Sequence, residues 1–465
     1  MYKKQLIHFV GIGGIGMSGL ARVLLSLGYE VSGSDLREND VTRYLAAHGG
    51  VIFRGHDAGN VGAADVVVTS SAVRADNPEV TEARKRGIPV IPRAEMLAEL
   101  MRFKKFGIAV AGAHGKTSTT SMVASVLETS GLDPTVIIGG KVSGTGSNAY
   151  WGKGDFLVAE ADESDGSFLR LDPSIEIITN IDLEHLDHYS GLEEIKAAFL
   201  DFMQRLPFYG MLIVCGDDEH LPGLAESAQR KHILYGTGEN CSLRAVDMES
   251  RGRKVCYTVL RHGVELGRVR LAVPGMHHVR NSLAALATGL EMEIPFERIS
   301  KGLENYRGVE RRFQILGEHE DVVVMDDYAH HPTEIAATLG AAREAWPGRR
   351  LLVLFEPHRY SRTAMLMDAF PGAFDKADML WVCDIYPASE TPLPGVTAEN
   401  LVRRIDREFA GDVYYGGACM DLPDRIVETA MPGDVIITMG AGSIGRIGNI
   451  ILDRLCGVET GVMSL

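Results

Sequence analysis

Three times in this chain a short apolar strand runs into a glycine-rich turn and then into a helical pattern, and that repetition constrains the fold more than any other feature. LIHFV (6–10) leads into GIGGIGMSGLARVLLSLG, FGIAVAG (106–112) into AHGKTSTTSMVASVLETSG, and DVIITMG (434–440) into AGSIGRIGNIILDRL. Strands alternating with helices build mostly parallel sheets from βαβ units, so the chain is read as α/β. Two further strand candidates, VVMDDYAHHP (323–332) and RRLLVLFEPHRYSR (349–362), end in polar clusters. The carboxyl ends of strands are where open parallel sheets bind ligands.

The chain has 465 residues, and at about 150 residues per domain that suggests three domains. The basic stretch at 102–105 and the polar run at 305–312 read as linkers. The expected division is 1–105, 106–312 and 313–465, each domain built on a mostly parallel sheet with flanking helices.

The net charge of −15, from 47 Lys+Arg against 62 Asp+Glu, argues against nucleic acid or an anionic membrane as a partner, because an acidic surface repels both. It leaves room for a local basic pocket and a phosphorylated small molecule. Six cysteines (Cys215, Cys241, Cys256, Cys383, Cys419, Cys456) contain no C-x-x-C pair, which fits reduced thiols in the cytoplasm. The opening MYKKQLIHFVGIGGIG has two lysines before apolar residues, but the apolar run is too short for a signal peptide and breaks into glycines. No run of about 18 uncharged apolar residues is present to span a membrane. Nothing in these residues fixes an oligomeric state.

Gly112-Ala113-His114-Gly115-Lys116-Thr117-Ser118 is the most informative stretch. A glycine-rich turn between strand and helix exposes consecutive backbone N–H groups, and the helix N-terminus adds partial positive charge for a polyphosphate. Lys116 suits the β/γ-phosphates and the Thr117 hydroxyl suits Mg²⁺. Val110 stands where the full Walker pattern has glycine, so the motif is a shortened G-x-x-G-K-T. Gly11, Gly13, Gly14 and Gly16 fit G-x-G-x-x-G after a strand, and Asp35 closes a second strand downstream. That is a diphosphate fingerprint whose carboxylate takes ribose hydroxyls, and it does not say which nucleotide. The third loop, from Gly440 to Gly445, has no strand-ending acid after it and reads as strand–helix packing.

VAEADESDGSF (158–168) and NIDLEHLDHY (180–189) each follow an apolar strand. Hard oxygens and an imidazole beside a phosphate loop suit a magnesium ion bridging phosphates, with Glu160 and His185 as the candidate ligands. A solvated acidic loop is the alternative for such a run. Farther on, Glu356-Pro357-His358-Arg359-Tyr360-Ser361-Arg362 gathers two guanidinium groups, an imidazole and a phenol at one strand end. Guanidinium forks match a carboxylate or phosphate through paired hydrogen bonds, although surface ion pairs would use them too.

Seven segments in order, FVGIGGIGMSGLA, GAHGKTSTT, EADESDGSF, NIDLEHLDHY, RGVERRF, DDYAHHPTEI and FEPHRYSRT, resemble the Mur ligase family over essentially the whole chain. The resemblance implies a Rossmann-like N-terminal domain for a UDP-sugar, a P-loop ATPase-like central domain for ATP, and a Rossmann-like C-terminal domain for an amino acid. It further implies that Gly11, Gly13, Gly14 and Gly16, with Asp35, hold the sugar nucleotide. Gly112, Gly115, Lys116, Thr117 and Ser118 would hold ATP, and Thr117, Glu160 and His185 the magnesium. Asn281 matches an adenine contact, Arg311 or Arg312 an arginine reaching ATP, and Asp327 a nucleotide contact from the third domain. Tyr328, His358, Arg359 and Arg362 match a cluster that binds alanine.

The implied reaction joins the lactyl carboxylate of UDP-N-acetylmuramate to L-alanine through an acyl phosphate, with Lys116, Glu160, His185 and Arg312 as catalytic residues. Two positions depart from the family pattern: His278 stands where it has asparagine, and Glu184 where it has aspartate. Lys196, the only lysine of KAAFLDFMQ after the metal histidine, is not expected to be carbamylated. His185, His188, His330 and His331 stand open as candidates for a base. Rival readings are addition of a murein tripeptide to the same sugar nucleotide, an NAD-dependent oxidoreductase, and a P-loop module without ligase chemistry.

Overall fold

A computed structural model describes residues 5–140, 148–186 and 188–458. Lys3 and Lys4 of the opening segment and Asp187 of the NIDLEHLDHY run lie outside the described residues. Three sheets are present. The first is formed by β1 (Leu6–Val10), β2 (Glu30–Asp35), β3 (Val51–Arg54), β4 (Val66–Thr69) and β5 (Val90–Pro92), in the order β3-β2-β1-β4-β5. Every pairing in it is parallel. The order reverses direction at β1, which is where a doubly wound sheet opens a crevice. The first glycine loop leaves the carboxyl end of that strand.

The second sheet contains β6 (Phe106–Ala111), β7 (Thr135–Ile137), β8 (Ala149–Tyr150), β9 (Phe156–Glu160), β10 (Ile175–Ile178), β11 (Met211–Cys215), β12 (His232–Gly236), β13 (Leu243–Arg251), β14 (Lys254–Arg261) and β15 (Val264–Leu271). Their order is β15-β14-β13-β12-β11-β10-β6-β9-β7-β8. The strand before the phosphate loop is interior, with β10 on one side and β9 on the other, both parallel to it. The acidic run therefore begins at the same sheet edge as the phosphate loop.

The third sheet comprises β16 (Gln314–His319), β17 (Val322–Asp327), β18 (Leu351–Phe355), β19 (Met379–Cys383), β20 (Asp412–Gly417) and β21 (Val435–Met439), ordered β16-β17-β21-β18-β19-β20. Within this sheet, among the described strands, only β16 runs antiparallel. Register places Asp327 and Phe355 on either side of Met439. Three polar segments thus leave neighbouring strand ends: Asp327 onward, Gly440 onward and Glu356 onward.

Both faces of this sheet's centre are covered, which is why β18 and β19 read as unbroken apolar runs rather than alternating ones. Val323, Met325, Val353, Phe355 and Ile437 pack on one face, and Val322, Val324, Leu352, Leu354 and Ile436 on the other. All six cysteines are free thiols, and four of them are buried. Among the described residues no helix is long and apolar enough to cross a membrane.

By compactness the chain forms two units. One comprises residues 1–247, 257–269 and 280–306, and the other residues 248–256, 270–279 and 307–465. The first two sheets' phosphate loops lie in the first unit, and the third sheet lies in the second.

Candidate functional site

In the first unit, the turn after β1 is shaped by its own backbone. Gly11 has φ +78°, and the amides of Gly11 and Ile12 both donate to the Ser34 carbonyl, at 2.8 and 3.0 Å. The Gly13 amide donates to Asp35 Oδ2 at 2.9 Å, and a Cβ on Gly13 would sit 2.8 Å from that oxygen. The Arg37 amide reaches Asp35 Oδ1 at 3.3 Å. Asp35 therefore braces the loop as well as facing the cavity beside it, a bracing role that the fingerprint alone does not announce.

Beneath this loop lies a buried carboxylate, Glu79. It accepts from the Ser34 hydroxyl and from Asn60 Nδ2, each at 2.6 Å, and His56 Nδ1 lies 3.3 Å away. Burial alone would raise its pKa, but His8, Ser34 and Asn60 outweigh burial and hold it down at about 2. A charged carboxylate is kept inside the first unit because its oxygens are met by donors.

The second loop is pinned by the end of β10. The His114 amide donates to Asn180 Oδ1 at 2.9 Å, and the His114 carbonyl accepts from Thr179 Oγ1 at 2.6 Å and Asn180 Nδ2 at 3.0 Å. Gly112 (φ +126°) would place a Cβ 2.2 Å from Thr179 Oγ1, and Gly115 (φ +83°) would place one 2.8 Å from Asn281 Oδ1. Only glycine fits either position. Asn281 is thereby set against the phosphate loop, on the helix Met276–Glu291. Thr117 and Ser118 fall in the first turn of the helix Lys116–Thr129, a place where N–H groups have no partner within the helix.

Lys116 Nζ bonds the Gly112 carbonyl at 2.6 Å and Glu163 Oε1 at 2.7 Å. His185 Nε2 lies 3.4 Å from the same Glu163 oxygen and 3.6 Å from Glu184 Oε2. Burial works against both charges. Even so, Glu163 keeps the Lys116 ammonium above its ordinary pKa, and Lys116 and then His185 keep Glu163 below its own. Glu163 Oε2 is buried with no hydrogen-bond partner among the described residues. An orphaned hard oxygen beside an imidazole and a phosphate loop suits a magnesium ion. Glu160, at the end of β9, receives the Gly139 amide at 2.8 Å and lines the same cavity as Lys116. The sequence reading took Glu160 from the acidic run and passed over Glu163. Nothing in the sequence sets Glu163 apart from its acidic neighbours, because only the fold returns it to Lys116 and His185. Tyr189 holds that return with a 2.6 Å bond from its hydroxyl to the Glu163 carbonyl.

A cavity of about 850 Å³ joins the two loops. Gly11, Gly14 and Gly16 line it from one side, and Lys116, Glu160 and Asp162 from the other. Asp35 and His56 also face it.

In the second unit, Arg311 (φ +59°) donates to Asp326 Oδ2 at 2.7 Å and to the Gly440 carbonyl at 2.6 Å. Arg312 donates to Glu334 at 3.1 Å and lies 5.1 Å from the centre of the Tyr328 ring. Asp327 is buried, with its oxygens receiving the Phe313 amide, the Ala329 amide and the Thr338 hydroxyl. Its carboxylate ties the incoming linker to the sheet, and burial, opposed by Arg312, raises its pKa to about 6.

Arg362 Nη1 lies 3.2 Å from His358 Nδ1 and donates to it. The His358 ring stacks on Tyr386, and His330 stands between Tyr328 and His358 with ring centres 5.4 and 6.0 Å away. Burial first, then Arg362 and Arg359, lowers His358 to about 4. Burial lowers His330 to about 3 against the opposing pull of Glu334. Both imidazoles are neutral at pH 7 beside cationic guanidinium groups. Arg359 itself takes an uncommon φ of +71°, with its amide donating to the Tyr386 carbonyl at 2.8 Å.

The third glycine loop is packed. Glu356 receives the Ile444 amide at 3.0 Å, and a Cβ on Gly442 would lie 2.5 Å from Glu356 Oε2. His278, one of the two departures, is buried with Nδ1 2.7 Å from the Pro274 carbonyl, and burial lowers it to about 4. Glu184, the other, is also buried. Lys196 pairs with Glu193 at 2.9 Å.

Residues 6–105 match the Mur ligase family catalytic domain, 110–289 the Mur ligase middle domain, and 311–442 the Mur ligase glutamate ligase domain. The UDP-N-acetylmuramate–L-alanine ligase of Trichlorobacter lovleyi is 53% identical over 97% of this chain and 99% of its own length. That of Geobacter sp. strain M21 is 52% identical over 98% and 99%. Among solved structures, the UDP-N-acetylmuramate–alanine ligase of Thermotoga maritima superposes with a TM-score of 0.84 at 30% identity, covering 97% of this chain and 99% of that one. A murein peptide ligase of Psychrobacter arcticus, 24% identical with a TM-score of 0.71 over 98% of this chain and all of that one, shares the fold. With three family regions matched in order along one chain, and relatives half identical over almost its full length, this chain belongs to the Mur ligase family.

Proposed function

We propose that this chain is an ATP-dependent carboxylate–amine ligase that joins the lactyl carboxylate of UDP-N-acetylmuramate to L-alanine, releasing ADP and phosphate, in cytoplasmic synthesis of peptidoglycan precursors. The observation that carries this reading is the shared cavity, in which Gly14 and Gly16 face Lys116 and Glu160. A sugar nucleotide on the first loop and a nucleoside triphosphate on the second would present a carboxylate and a γ-phosphate to one space. The names of the relatives from Trichlorobacter lovleyi and Geobacter support the same substrates.

A carboxylate is a resonance-stabilised anion with a poor leaving group, so condensation with an amine in water is uphill. In the proposed route the lactyl carboxylate attacks the γ-phosphorus of ATP, giving ADP and an acyl phosphate. The alanine amine then attacks the acyl carbon and phosphate departs. Lys116 neutralises charge spreading over the transferred phosphoryl oxygens, and the backbone amides from Gly112 to Ser118 hold the phosphates in line. Thr117, Glu160 and His185, joined by Glu163, are the residues that would hold Mg²⁺. When bound, the ion supplies positive charge to the same phosphoryl oxygens.

Asn281 and one of Arg311 and Arg312 are assigned to the nucleotide, and Asp327 to positioning at that end. Tyr328, His358, Arg359 and Arg362 are assigned to alanine. The neutral imidazoles favour an amino acid whose carboxylate pairs with guanidinium while its amine meets an uncharged face. The three domains are assigned to 1–105, 106–312 and 313–465.

The test is a phosphate-release assay with ATP, UDP-N-acetylmuramate and either L-alanine or the murein tripeptide, with the product mass read in parallel. Release with L-alanine, and a product heavier by one alanyl residue, supports the reading. Turnover only with the tripeptide, or nicotinamide reduction without ATP, overturns it.

A further inference from the structure

The amides of Gly11, Ile12, Gly13 and Gly14 are already donated to Ser34, Asp35 and Gly11, so the first glycine loop leaves a diphosphate only the amides of the following helix's first turn, and no side-chain cation. Arg93 lies beside it. This residue opens the helix Arg93–Met101, directly after β5, and its guanidinium covers Gly16. A Cβ at Gly16 would stand 3.0 Å from Arg93 Cδ and 3.1 Å from Nη1. The last glycine of the loop is therefore needed for an arginine to reach the start of the helix Ile15–Ser26. Arg93 also faces the cavity that Lys116 and Glu160 line.

The guanidinium is held in place by Asp162, to whose Oδ2 its Nη2 donates at 2.8 Å. Asp162 is anchored in turn, since its Oδ1 receives the Ser164 amide at 3.1 Å and its carbonyl receives the Phe168 amide at 3.1 Å. The pair is partly open to solvent, with 26% of the Arg93 side chain and 41% of the Asp162 side chain exposed. Pairs of that kind are weak. Arginine binds phosphate oxygens through two parallel hydrogen bonds, so a doubly charged diphosphate is a stronger partner than a single carboxylate joined through one nitrogen.

The geometry points to Arg93 as a substrate-anion ligand of the first loop, held in readiness by Asp162 and exchanged from that carboxylate to the diphosphate when the sugar nucleotide binds. This rests on the sugar-nucleotide reading of the loop. It adds a cation to a site that the glycine motif describes by backbone alone.

Calorimetric titration of the full chain with UDP tests this, with a non-hydrolysable ATP analogue plus Mg²⁺ as a second ligand to certify folding. R93A is expected to weaken UDP at least tenfold, with R93K intermediate, while both bind the ATP analogue as wild type does. D162N is expected to bind UDP two- to fivefold more tightly than wild type, because the competing carboxylate is gone. Equal UDP affinity in R93A and wild type would overturn the assignment. So would a D162N variant that loses as much affinity as R93A, since the pair would then be only a structural tie. If wild type binds no UDP while binding the ATP analogue, the sugar-nucleotide reading fails first and takes this inference with it.

Discussion

Lys116 Nζ and Glu163 Oε1 lie 2.7 Å apart, with 18% and 3% of the two side chains exposed. Neither charge is tolerable there without the other or a ligand in its place. Removing one member of a buried pair costs about 3 kcal/mol or more, because the survivor is left uncompensated. K116M and E163L are each expected to lower the unfolding midpoint clearly, and the double variant is expected to recover part of the loss. Denaturant melts of the four proteins check this; simple additivity would show that the pair is not coupled. K116A is also expected to abolish ligation while UDP affinity changes little.

Glu79 gives a pH-dependent prediction. Its carboxyl is held at about 2 in the fold against an ordinary 4.5. A depressed carboxyl contributes stability that is complete above the unfolded value and is lost as pH falls through the folded one. The shift corresponds to an upper figure of about 3 kcal/mol. E79Q should therefore be less stable than wild type at pH 7 by up to that amount, and the gap should narrow below pH 4.5. Urea melts at pH 7 and pH 4 measure it; a gap that stays constant with pH would assign the effect to packing.

Gly115 takes φ +83° and leaves 2.8 Å between an added Cβ and Asn281 Oδ1. G115A carries both a left-handed backbone cost of about 1 kcal/mol and a displaced amide. It is expected to weaken the ATP analogue tenfold or more with UDP binding retained. N281A, which removes the obstruction but also the amide, is expected to weaken the same ligand without the backbone strain. Titration of both variants separates the two contributions.

The cluster proposed to bind alanine is tested through His358. Burial is the larger cause of its lowered pKa and Arg362 the next. R362A is therefore expected to raise the His358 pKa only part of the way from about 4 to its ordinary value, as read by NMR titration of the ring. The same variant, like R359A, is expected to raise the KM for alanine at least tenfold and to leave the KM for ATP nearly unchanged. Unchanged alanine dependence in both would move the amino-acid site elsewhere.

The phosphate loops were legible because their chemistry is backbone chemistry, and backbone conformation at Gly11, Gly112 and Gly115 demands glycine. The sheets were legible because strands with both faces buried, such as LLVLF and MLWVC, are unbroken apolar runs. Two kinds of information were not in the string. Pairing across long separations was one: Arg93 meets Asp162 and Lys116 meets Glu163 only after the sheets stack their loops. The other was whether a polar side chain turns outward. Asp35 and Asp327 both sit at strand ends where ligands gather, yet each also bonds backbone amides. A one-residue offset decides this, and composition does not record it. Glu163, three residues beyond the strand, was missed for the same reason.

The proposed ligation begins with a carboxylate of one substrate attacking the terminal phosphorus of the other. Ligation with UDP-N-acetylmuramate carrying ¹⁸O in both lactyl carboxylate oxygens tests that step directly, with the released phosphate read by mass spectrometry. One ¹⁸O atom in each phosphate released is the expected result, since the acyl–oxygen bond breaks when the amine attacks. Unlabelled phosphate accompanying amide formation would contradict an acyl-phosphate route.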